Sequence, residues 1–424
     1  MCWRTYRHLR KIASCWTSHK VIELNKGMPK YPVWSLVLVA WVLFALSVVA
    51  EGTYDSSYGS TLLVKVQNTS ASERRVFVHS GCLVVMLDGN KLRENMENSI
   101  IATSRPLGSP CDKNSVNGIG VNTNASFALV SHGTSLSAVY FAQTETVGYP
   151  QKDIGDAVDV VVQRIPSLVH REGLNATTNF VGYGRITNGM RDEENNRDLF
   201  IAVGLDEQKN GHALIIASSG KGATLSLKII SSLLIGQGVN DIRPYDEQTF
   251  PNSPILANYV DGLKVLNYDV NTNMLSIVNQ QSITYPDKSS HSDGMDVNPK
   301  FAYIAAQGNG LYVYDLNKKA VVGNTDEGLT GWAGGVRVIG NFALVAADPG
   351  LIIYDVKDPT KPTLQYTCKM GGSGKGWNLA TDKGSNLVFV ADNQGGLQIV
   401  ELVDDGKGTI IGHFGQGVIQ NCDG

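Results

Sequence analysis

Long stretches with a 3.6-residue apolar period are what this 424-residue chain lacks: its Val, Ile and Leu fall in short runs, broken by 45 glycines. That argues against a helical bundle and for strands joined by tight turns, an all-β chain. Cysteine is scarce, six in all, and no Cys/His spacing fits zinc. Phosphate-cradling loops are missing as well: "SGKG" occurs at 219–222 and 373–376, but without the earlier Gly and the following Ser or Thr that such a loop needs. "DVNTN" (269–273) begins like a calcium loop, yet Met274 replaces the turn Gly and Gln280 stands where a bidentate Glu belongs, so it reads as a hairpin turn. "DEENNRD" (192–198) reads as an exposed charged loop rather than a cation site. No cofactor and no metal is expected. Positive charge is also in deficit: beyond residue 50 there are 29 basic against 38 acidic side chains, or −9, which argues against a nucleic-acid partner.

The first fifty residues are the exception. Val33–Ala50 is an uncharged apolar run behind seven basic side chains, the pattern of a secretory signal peptide, or of a signal anchor if it is retained. Met28 offers an alternative start that would shorten the preceding segment to ordinary length. In either form the distribution of charge puts residues 51–424 on the outer side, secreted or anchored, with membrane contact only through an uncleaved segment. Four cysteines then remain, Cys82, Cys111, Cys368 and Cys422, and an oxidising compartment predicts two disulfides with three pairings open. Asn68, Asn124 and Asn175 head glycosylation triplets.

Beyond residue 50 the chain repeats itself. "FALVAADPGLIIYDVKDPTKP" (342–362) is strand, Gly turn, strand, acidic stop; 255–273, 301–319 and 387–405 share that layout. Their marker leucines, Leu263, Leu311, Leu351 and Leu397, lie 48, 40 and 46 residues apart, the period of propeller blades. A Gly-rich lead such as "GGVRVIG" precedes each hairpin and another strand such as "PTLQYTCKM" follows it, giving four strands per unit. Such a sheet leaves both faces wet unless units stack around an axis. Degraded copies at 74–90, 127–143 and 199–219 bring the total to seven, so the expectation is a seven-bladed β-propeller over 51–424, with a loop insertion near 151–198. Either "STLLVKVQ" (60–67), added to the last blade, or "GVIQN" (417–421), completing the first, is expected to clasp the ring.

The units "GLIIYDVKDPTKP" and "GLQIVEL" resemble the LVIVD repeat, a β-propeller repeat of surface and secreted proteins, over about 250–416. A looser similarity to lactonase and YncE-like seven-bladed propellers rests on "ILANYVDGLKVLNYDVNTN" (255–273). The first resemblance implies architecture, and extracellular binding to a protein or glycan only by association.

Loops that enter the lead strands are where function is expected. They offer Asp241 and Arg243, His291 and Asp293, Trp332, and Trp377 with Asn378; Arg191 and Asp192 are candidates to join them. Two readings compete. In a lactone or ester hydrolase, His291 is the general base, Asp293 orients it and Arg243 stabilises an oxyanion, with Asp241 nearby. In a binding module, Trp332, Trp377 and Asn378 form a platform at the channel mouth. The binding reading is preferred, because His and Asp in a Ser/Gly-rich loop are most often solvated turn residues.

Overall fold

The structure is a computed structural model and describes residues 63–414, apart from 71–72, 81–82, 90–99, 104–115, 133–134, 141–161, 166–167, 171–176, 221–224, 260–261, 279–282, 285–293, 371–375, 382–384, 393–395 and 404. The apolar run 33–50, Cys82, Cys111, Cys422, Asn175, His291, Asp293 and 417–421 lie outside the described residues. Among the described residues no helix is long and apolar enough to cross a membrane.

The strands of the described residues fall into seven sheets. The first comprises β1 (Leu63–Ser70), β2 (Glu73–Ser80), β3 (Leu83–Asp88) and β4 (Ile100–Thr103). The second comprises β5 (Val116–Val121), β6 (Phe127–His132), β7 (Ser135–Tyr140) and β8 (Val162–Ile165). The third is wider: β9 (Leu168–His170), β10 (Thr177–Ile186), β11 (Met190–Asp192), β12 (Arg197–Asp206), β13 (Asn210–Ser219) and β14 (Ser226–Gln237). The fourth has β15 (Asp241–Pro244), β16 (Ile255–Tyr259), β17 (Gly262–Asp269), β18 (Met274–Ile277) and β19 (Ile283–Thr284). The fifth has β20 (Gly294–Val297), β21 (Phe301–Ala305), β22 (Leu311–Asp315) and β23 (Ala320–Thr325). The sixth has β24 (Ala333–Ile339), β25 (Phe342–Ala347), β26 (Gly350–Asp355) and β27 (Thr363–Lys369). The seventh has β28 (Gly376–Thr381), β29 (Leu387–Asp392), β30 (Gly396–Leu402) and β31 (Gly408–Phe414). Every pairing is antiparallel, and each repeated hairpin of the sequence is the central pair of a sheet, for example β25 with β26.

The hairpins turn where they do because one residue must take a positive φ. The glycine before each marker leucine has it: Gly262 at 147°, Gly310 at 75°, Gly350 at 148° and Gly396 at 74°.

Both faces of β25 are buried, which is why 342–347 reads as an unbroken apolar run. Alternate side chains serve different neighbours: Ala343, Val345 and Ala347 pack towards the fifth sheet, Leu344 and Ala346 towards the seventh. The core is therefore a set of interfaces between successive sheets. Another such interface joins the ends of the series, with Val76, Val78 and Leu87 of the first sheet packed on Leu387, Phe389, Leu397 and Ile399 of the seventh. The lead strand β1 lies beside both β28 and β5, and the remaining lead strands follow as β10, β15, β20, β24 and back to β28. The molecule is an all-β propeller of four-stranded antiparallel blades, two of them carrying additional strands.

Three expectations need correction. Residues 60–67 do not add a strand to the last blade: β1 opens the first sheet, paired with β2 from Leu63 opposite His79 to Ser70 opposite Glu73. Within 151–198 the excess length is partly strand, since β8 to β11 lie there and β9 and β11 are the additions to the third sheet. Cys368 is a free thiol buried between the sixth and seventh sheets beside Met370, and burial pushes it above the ordinary thiol range, so it is no disulfide partner here.

Candidate channel site

Apart from β10, which also pairs with β9, the lead strands are sheet edges, and an edge presents N–H groups that have no ladder partner. Glycines let these edges come close to one another. A Cβ on Gly120 would stand 2.0 Å from the Thr187 carbonyl oxygen, and one on Gly294 would stand 2.6 Å from that of Gly334.

Side-chain oxygens supply the missing acceptors. Asp241, in β15, accepts from the Met295 N–H of β20 at 2.9 Å, and Asp296 in β20 accepts from the Val338 N–H of β24 at 2.8 Å. On the other side Asn188, following β10, accepts from Val121 N–H and donates to the Val66 carbonyl, both at 3.2 Å, joining the first three sheets.

Around these carboxylates stand three guanidinium groups from three lead strands: Arg185 of β10, Arg243 of β15 and Arg337 of β24. Arg243 Nε donates to Asp241 Oδ2 at 3.3 Å, and the other Asp241 oxygen accepts from the Ile242 N–H at 2.9 Å. Burial works against ionising Asp241, but Arg243, Arg185, Arg337 and the Met295 hydrogen bond outweigh it and hold the carboxyl below its ordinary range. Arg243 is correspondingly raised, Asp241 and then Asp296 overcoming its burial. Arg337 goes the other way, to about 10, because burial and the Arg243 charge exceed the pull of Asp296, Asp241 and Glu247. It donates to the carbonyls of Val336 at 2.7 Å and Met295 at 3.3 Å.

The candidates from sequence distribute unevenly over this geometry. Asp241 and Arg243 are brought together, though within β15 rather than in a loop before it. Asn378, in β28, is buried beneath Gly335 of β24, with its Oδ1 accepting from the Leu379 N–H at 2.8 Å. Trp332 is half-buried just ahead of β24, its carbonyl accepting from the Asp348 N–H at 2.8 Å; the Trp377 side chain lies outside the described residues.

Arg191 and Asp192 belong elsewhere. Asp192 pairs with Arg197 at 2.7 Å and Arg191 with Asp198 at 3.3 Å, while Arg197 reaches Asn273 of the fourth sheet at 3.0 Å. The "DEENNRD" carboxylates at 192 and 198 are thus committed to arginines. The "DVNTN" segment closes the β17–β18 hairpin, with Asn273 at φ 51°. Of the glycosylation triplets, Asn124 is exposed in the turn between β5 and β6, and Asn68 lies in β1 opposite Arg74.

Arg185, Asp296 and Arg337 were not singled out from sequence. Their signal was there in "GYGRI", "GMDV" and "GGVRVIG": one charged residue inside a Gly-led strand.

Among known proteins, the LVIVD repeat family matches residues 291–320 and 330–370, the second of these spanning the whole sixth sheet. No curated protein matches. Solved structures similar to the chain include the WD40 β-propeller domain of Doa1, at 12% identity and a TM-score of 0.48, covering 81% of this chain and 94% of that one. A chain of the Mitotic Checkpoint Complex matches at 10% identity and a TM-score of 0.50, covering 92% and 99%. The matched LVIVD repeats fall on the fifth and sixth sheets, so the chain carries LVIVD repeats in two adjacent blades of its β-propeller.

Proposed function

We propose that the protein is an extracellular interaction module: a closed seven-bladed ring, delivered by the apolar segment 33–50, that presents its loops to a protein or glycan partner. One observation carries the preference for binding over catalysis. Two of the described carboxylates at the channel, Asp241 and Asp296, are tied to the N–H groups of neighbouring lead strands, which favours a role in holding the ring together over that of a base. Support for a protein partner comes from the fold, which is shared with a chain solved within the Mitotic Checkpoint Complex. Trp332, half-buried ahead of β24, is the aromatic contact we assign to the partner.

Cross-linking of the protein on intact host cells, followed by peptide mapping, tests this. The expected links join loop residues to a surface protein or glycoprotein and weaken in Trp332→Ala while persisting in Arg243→Gln. Turnover of lactones or esters that disappears in His291→Ala would instead establish the hydrolase.

A further inference from the structure

We propose that the channel binds a small oxyanion, a carboxylate or phosphoryl group, between the guanidinium groups of Arg243 and Arg337. This is independent of the interaction module argued above.

The two side chains arise from lead strands two sheets apart and converge on Met295: Arg243 Nε donates to Asp241 Oδ2, which also accepts the Met295 N–H, and Arg337 Nη1 donates to the Met295 carbonyl. Each has donors to spare. Arg243 commits only Nε, to Asp241, and among the described residues its Nη1 and Nη2 meet no acceptor. Arg337 commits only Nη1, to two backbone carbonyls, and has no carboxylate within 4.0 Å among the described residues. The nearby acidic groups do not fill the gap, since Asp241 and Asp296 are held by the N–H groups of Met295 and Val338. Planar guanidinium groups with free edges match carboxylate and phosphate oxygens in pairs, and a half-buried site strengthens such bonds. Arg185 adds a third positive charge to the field, and Glu247 is the acidic side chain that an incoming anion must compete with.

Calorimetric titration of the intact protein with inorganic phosphate and with citrate, against chloride at equal ionic strength, tests the proposal. Saturable binding of one anion per chain is expected, weakened by at least about tenfold in Arg337→Gln, the loss of one or two charge-assisted hydrogen bonds. Arg337→Lys keeps the charge but not the fork, and is expected to fall between. Glu247→Gln should tighten binding. Preference for phosphate assigns a phosphoryl ligand and preference for citrate a carboxylate. Absence of saturable heat with both anions, or unchanged binding in both Arg337 variants, overturns the site.

Discussion

A buried polar atom without a partner costs about 1–3 kcal/mol, and the Tyr183 hydroxyl is such an atom among the described residues. The side chain is packed between the second and third sheets with Phe180, and burial raises its hydroxyl to about 12. Tyr183→Phe is therefore expected to raise the unfolding free energy by about 1 kcal/mol, measured by urea denaturation; a loss of that size would mean the hydroxyl has a partner. Asp192 is the opposite case. Burial works against its charge, but Arg197 and Asn195 together hold it below the ordinary carboxylate range. The unfolded chain then binds the proton more tightly, so this stability is complete above about pH 4 and is lost as the pH falls below it. Asp192→Asn should flatten the fall in stability below about pH 4 while lowering stability at pH 7.

Within a blade, the hairpin glycines separate two causes that sequence merges. Gly310 has a positive φ, and a Cβ there would stand 2.2 Å from the Thr325 carbonyl oxygen; Gly308, two residues earlier, has open space around it. Gly310→Ala is expected to cost more than about 2 kcal/mol, from strain and from the displaced strand, and Gly308→Ala less than about 0.5. Thermal unfolding of the two variants decides it. The repeated hairpins were legible in sequence because alternation and Gly turns are local. Which lead-strand charges meet was not legible, since nothing local tells that Asp241 reaches the Met295 N–H, 54 positions along the chain. Asn378 is a like case: the loop-like "GKGWN" supplies the start of a strand, and the Asn378 side chain lies under Gly335.

For the whole ring, closure rests on apolar packing between the first and seventh sheets, with Phe389 at its centre and fully buried. No strand is exchanged between them among the described residues. Phe389→Ala should cost about 3–5 kcal/mol. The loss should also be local first: amide exchange is expected to quicken in β1, β2 and β29 before the fourth and fifth sheets respond. Uniform acceleration in every sheet would show that the ring opens only as a unit.

Sequence alone determined the fold class, the four-stranded unit, the position of every central hairpin and the LVIVD resemblance, because each follows from period-two patterning and turn chemistry within some twenty residues. It also set the composition of the channel, by placing charged residues inside Gly-led strands. Only the tertiary structure decided which of those residues meet. Stacking the blades brought Arg185, Asp241, Arg243, Asp296 and Arg337 into one field, turned Cys368 into a buried thiol, and made β1 the first strand of its own blade. The physical reason is that blades touch through faces rather than through hydrogen-bonded edges, so the contacts that bring sites together carry no periodicity along the chain.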